Sequence, residues 1–144
     1  PGTANAYILL DTGTPSQSLI DDLNDYVMAK GFHGHGDDLQ VMAMPGINVS
    51  VGVTIYPHAY LLETQVTALL ANVENFIRSA FRENTDYTVT KTQPASRFSF
   101  SRLSQELHKE FDGIDSLNWH QTDITSQNNV PRLTALTIEN GNAL

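Results

Sequence analysis

From residue 47 to residue 56 the chain alternates without a break. Ile47, Val49, Val51, Val53 and Ile55 are branched and apolar; Asn48, Ser50, Gly52, Thr54 and Tyr56 stand between them. Side chains of a strand point to opposite faces in turn, so this period of two predicts a strand with one buried face. β-branched residues suit such a pleated, half-buried surface. The other face is small and polar and expects water or a thin cover. A strand of this kind belongs to a sheet with helices on one side, and helical patterns flank it in sequence.

Upstream, Thr3 to Asp11 reads as a first strand, and Asp11–Thr12–Gly13 as a turn. Thr14–Pro15–Ser16–Gln17 predicts a helix start, with Thr14 as N-cap, Pro15 at the first helical position and Gln17 closing a capping box. Leu19, Ile20, Leu23, Tyr26 and Val27 then share a face, and Asp21, Asp22 and Asp25 read as a solvated one. Gly31 stops the helix. Phe32 to Asp38 is a loop, and Leu39 to Met44 a second strand. The Pro45–Gly46 step predicts that this strand pairs antiparallel with the central one, or runs into it through a bend.

Pro57 closes the central strand. Leu62, Val66, Leu69, Leu70, Val73, Phe76, Ile77, Ala80 and Phe81 recur three or four apart, which predicts a long helix over its apolar face. Residues 85–97 read as a polar loop or arm, rich in threonine. Ser99 or Ser101 caps a third helix carrying Leu103, Leu107 and Phe111, and Gly113 ends it. Ser116 to Thr122 and Leu133 to Ile138 are two more strands. The order β-α-β-β-α-α-β-β predicts a single α+β domain over residues 1–144. Its expected sheet is ferredoxin-like (split β-α-β) with helices on one face.

Composition narrows the function. At 144 residues, 40% hydrophobic and 17% charged, the chain can bury a core, and no apolar run approaches a membrane span. Eight lysines and arginines stand against 16 acidic residues, a net charge of −8. Without a basic stripe, nucleic acid and anionic membranes are not expected partners. Cysteine is absent, which removes disulfides, thiolate nucleophiles and cysteine zinc sites. The chain opens at Pro1 without methionine, so it is expected to be part of a longer or processed polypeptide.

Candidate chemistry is sparse. His33, His35, Asp37 and Asp38 cluster in one loop, and imidazoles with carboxylates can hold a divalent metal. The competing reading is a solvated, glycine-rich turn. No phosphate loop, dinucleotide fingerprint or nucleophile elbow is present. No cofactor is expected. His58, His108 and His120 are scattered. Trp119 reads either as core against the third helix or as an interface anchor, and Phe98 and Phe100 raise the same question.

Several stretches together carry a family likeness. They are Gly2–Thr3–Ala4–Asn5–Ala6–Tyr7–Ile8–Leu9–Leu10 with the Pro15–Ser16 helix start, the Gly31–Phe32 loop leading to Gln40–Val41–Met42–Ala43–Met44–Pro45, and the Ile47–Tyr56 strand with Pro57. Arg97–Phe98–Ser99–Phe100–Ser101–Arg102–Leu103, Gly113–Ile114–Asp115–Ser116–Leu117 and the Pro131–Ile138 strand complete the set. In this order the chain resembles the C-terminal portion of the phage baseplate J-like family. It departs from the family's pattern at His33–His35, which lack an Arg-Pro step, and in the Thr85–Pro94 arm.

The resemblance implies a structural wedge component of a Mu-like contractile-tail baseplate, with no catalysis. It implies other wedge and hub proteins as partners, self-association in a ring, and a place in the virion tail after a stay in the host cytoplasm. Two competing readings remain: a small metal-binding or metal-dependent hydrolase domain using the His33–Asp38 loop, and a regulatory domain binding a small molecule between sheet and loop. Calorimetric titration with zinc checks the first. A solvated turn gives no heat, whereas a metal site gives heat and a raised melting temperature.

Overall fold

The alternating stretch becomes the middle strand of the larger sheet. A computed structural model describes residues 3–30 and 38–143. Its elements run β1 (Thr3–Ile8), α1 (Gln17–Lys30), β2 (Asp38–Ala43), β3 (Gly46–Pro57), α2 (Glu63–Ala80), β4 (Arg97–Phe98), α3 (Phe100–Glu110), β5 (Ile114–Trp119), β6 (Ile124–Thr125) and β7 (Val130–Asn140). The fold is α+β, with sheets of mixed strand direction. Contacts divide the chain into two compact units, Pro1–Pro45 and Gly46–Leu144.

In the first unit β1 and β2 pair in parallel, Thr3 opposite Asp38 through Ile8 opposite Ala43. The connecting α1 buries Ile20 and Val27 against Val41. The helix starts later than the sequence suggests. Ser16, not Thr14, is the cap: its Oγ accepts the Leu19 N–H at 3.1 Å. Pro15 therefore lies outside the helix. Gln17 donates to Asp21 Oδ1 one turn on, at 2.9 Å, instead of closing a capping box. Asn24 ties the helix to the sheet with both ends of its amide. Its Nδ2 donates to Val41 O at 3.0 Å, and its Oδ1 accepts Val41 N–H at 2.7 Å. At that residue the side chain takes the place of a neighbouring strand.

Of the two arrangements the sequence allows, antiparallel pairing of β2 with β3 is not among the strand pairs of the described residues. A two-residue hairpin turn uses positive φ, which proline cannot adopt, and neither Met44 nor Pro45 has it. The expected split β-α-β sheet is not formed among the described residues. Instead β1 and β2 form one sheet, and β3 lies between β5 and β7 in another. β3 runs antiparallel to β5, with Val53 opposite Trp119, and parallel to β7, with Val53 opposite Ile138.

The apolar face of β3 meets α2 and α3. Val51, Val53 and Ile55 are buried with Leu69, Val73, Phe76 and Ile77 of α2 and Leu103 and Leu107 of α3. Val49 is half-buried and Ile47 is exposed. The cover runs short because a strand of that length spans roughly 40 Å and the helix about 27 Å.

α2 ends in a Schellman turn. Glu83 N–H donates to Arg78 O at 2.9 Å and Arg82 N–H to Ser79 O at 3.1 Å. The left-handed position of this turn usually holds glycine; here it is Arg82, with φ at 67°. Arg82 is buried, and its Nε donates to Thr92 O at 2.8 Å. Thr92, also buried, donates its N–H to Ala80 O at 2.9 Å and its Oγ1 to Pro131 O at 3.3 Å. The polar 85–97 segment is thus a strap bonded to the end of α2 and to β7.

Two changes at Arg82 separate backbone strain from the buried hydrogen bond. Arg82→Ala is expected to lose roughly 1–3 kcal/mol through the unpartnered Thr92 carbonyl, while its own left-handed backbone stays strained. Arg82→Gly loses the same bond but relieves that strain, and so should unfold at higher urea than Arg82→Ala. Equal midpoints in urea denaturation would contradict this account.

Candidate interaction surface

The sequence candidates separate once placed. His33, His35 and Asp37 lie outside the described residues, and Asp38 is described only as the backbone that opens β2. Among the described residues no group of three or more histidines and carboxylates could hold a metal ion. No helix of the described residues is long and apolar enough to cross a membrane.

Phe98 and Phe100 are 5% and 3% exposed, so as placed they are core side chains with little area for a partner. They lie two residues apart across the extended Ser99, which points both the same way. Their rings continue a row: Phe81 to Phe98 at 5.3 Å, Phe98 to Phe100 at 5.5 Å, Phe100 to Trp119 at 4.8 Å. Trp119 is the half-buried end of that row. Its Nε1 donates to Ser104 Oγ at 2.7 Å. Ser99 caps α3 by accepting the Arg102 N–H at 3.2 Å.

A hydroxyl, an imidazole and a carboxylate meet on the polar face of the sheet. His120 Nε2 lies 2.8 Å from Thr54 Oγ1 and 3.9 Å from Glu139 Oε2. Thr54 Oγ1 donates to the same Glu139 oxygen at 3.3 Å. A catalytic relay needs the carboxylate on one ring nitrogen and the nucleophile on the other. Here both meet Nε2, so this grouping is a cross-strand polar cluster and not a relay. Nδ1 faces Gly52, where an added Cβ would lie 2.6 Å from it; glycine is what lets the ring lie so close to the strand.

One exposed feature of the second unit is a rim of large side chains where β3 gives way to α2. Tyr56, Tyr60 and Leu62 are 36%, 73% and 67% exposed. His58 stacks on Tyr60 with ring centroids 5.1 Å apart, and its Nδ1 lies 3.4 Å from Asp115 Oδ1. Behind Tyr56 runs the C-terminal turn. Asn142 Nδ2 donates to Pro57 O at 2.7 Å, and a Cβ on Gly141 would lie 2.4 Å from the tyrosine ring.

Leu62 is the N-cap residue of α2, a place where Ser, Thr, Asp or Asn normally supplies an acceptor. Its own N–H donates to Gln65 Oε1 at 2.8 Å, but its side chain offers the helix nothing. An apolar residue that neither caps nor packs has no local reason for its position. Tyrosine is favoured at protein interfaces, being large, rigid and amphipathic. Sequence periodicity assigned Leu62 to the buried helix face and passed over Tyr60. The available signal was three large side chains where a strand end and a turn need only small polar ones.

No family model matches the chain. Over 122 residues it is 44% identical to a protein of Haemophilus phage HP1 (strain HP1c1) described as "Putative baseplate protein gp29". The match covers 78% of this chain and 31% of the HP1 protein, so the chain spans about a third of that relative's length.

Stability measurements separate rim from core. Leu62→Asp is expected to raise stability by about 1 kcal/mol by supplying the missing cap. Tyr60→Ala should stay within about 0.5 kcal/mol of the parent. Trp119→Ala should lose roughly 2–3 kcal/mol, somewhat less than a fully buried tryptophan. A large loss at Tyr60 in urea denaturation would make it a packing residue.

Proposed function

We propose that this chain is a structural segment of a phage tail baseplate protein that works by assembling with other proteins and not by catalysis. The observation that carries the reading is the 44% identity to the HP1 protein over most of this chain. The order of elements and short motifs further supports a baseplate J-like wedge component of a contractile tail. On this reading its partners are neighbouring wedge and hub proteins, its copies stand in a ring around the hub, and its place is the virion tail.

The exposed rim at Tyr56, Tyr60 and Leu62 supports an assembly role, since large side chains that do not serve the fold are natural contacts for a neighbour. Mass spectrometry of purified tail particles tests the proposal. The expected result is this chain beside other tail proteins, in a copy number that fits a ring. Its absence from intact particles would overturn the reading.

A further inference from the structure

Three of the chain's eight basic side chains line one groove. Lys91 and Arg97 stand on the strap, and Arg102 on the first turn of α3; Gln93, Ser96 and Phe98 are among the uncharged residues of the lining. No acidic side chain lines it; at its edge the Glu106 carboxylate is engaged by Thr90, accepting its N–H at 3.0 Å and its Oγ1 at 2.6 Å. Asp123 sits behind Arg97, with Oδ2 2.8 Å from Nη2, while its Oδ1 accepts the Phe100 N–H at 3.0 Å. Arg97 is thus partly answered within the chain, as two arginines elsewhere are. Arg78 pairs with Glu74 and Glu83, and Arg132 feels the charge of Glu83. A cationic groove in a chain of net charge −8 runs against the average of its surface.

We propose that this groove docks a carboxylate-rich segment of a neighbouring protein. The inference deepens the assembly reading and rests on it for the partner's place in a tail. Exposed Arg102 presents a planar fork that can bind a carboxylate through two parallel hydrogen bonds. The strap wall is already ordered. Ser126 Oγ donates to Gln93 O at 2.7 Å, Ser126 N–H donates to Ser96 O at 2.8 Å, and Thr92 is buried beneath. A wall held this way loses little entropy when a partner arrives.

Nucleic acid fits the groove poorly. Three cations release few counterions, and the acidic remainder of the chain repels a long polyanion. A short acidic segment carries little charge beyond the groove, and screening confines the repulsion to about 8 Å at physiological salt.

Hexaglutamate is the probe. Titrated into the whole chain at low salt, it should bind and weaken as salt rises. Arg102→Glu should weaken binding by about tenfold or more at unchanged melting temperature, and Arg102→Lys, which keeps the charge but not the fork, should fall between it and the parent. Unchanged affinity in Arg102→Glu, or equal competition by inorganic phosphate, would overturn the groove as a peptide site.

Carbodiimide cross-linking of tail particles is the second arm, and Lys91 should join a carboxylate of another tail protein. Cross-links confined to this chain would overturn the groove and leave the baseplate role standing. A chain missing from the particles would overturn that role, while the hexaglutamate titration still decides the groove.

Discussion

Val51, Val53 and Ile55 project from β3 into the core that α2 and α3 close, and the second unit depends on that contact. Each such side chain, fully buried, contributes roughly 1.5–3 kcal/mol. The contact also orients everything on the opposite face. With the odd residues turned inward, Gly52 must face His120, Thr54 must face Glu139, and Tyr56 must emerge beside the C-terminal turn. The polar cluster and the aromatic rim are therefore consequences of a packing choice made on the other side of the same strand.

The end of α2 sets the second constraint. A left-handed arginine is an unfavourable way to finish a helix, and its buried bond to Thr92 offsets the strain. That bond turns a polar, threonine-rich stretch into a fixed strap. The strap then forms one wall of the cationic groove, so the same bonds that end the helix hold that wall in place.

The first unit is built differently. Among the described residues it holds two parallel strands, one helix and a buried core of Ile20, Val27 and Val41. Asn24 supplies hydrogen bonds that a third strand would otherwise make at Val41. Parallel pairs of this kind need a helical crossover, which accounts for the capped helix between β1 and β2.

Sequence by itself determined the elements whose signal is local. The alternation from Ile47 to Tyr56, the three-and-four spacing of α2 and the serine cap of α3 each follow from geometry within one stretch. Only the tertiary structure decided what those elements touch. Val53 meets Ile138 across a parallel ladder because of contacts many residues apart, which no local period encodes. The same applies to Phe98 and Phe100, whose apolarity suited a core or an interface until packing put them inside. Leu62 kept the helical spacing but fell one residue outside the helix, and so became rim instead of core. Periodicity states which face a residue shares; what covers that face is a property of the whole fold.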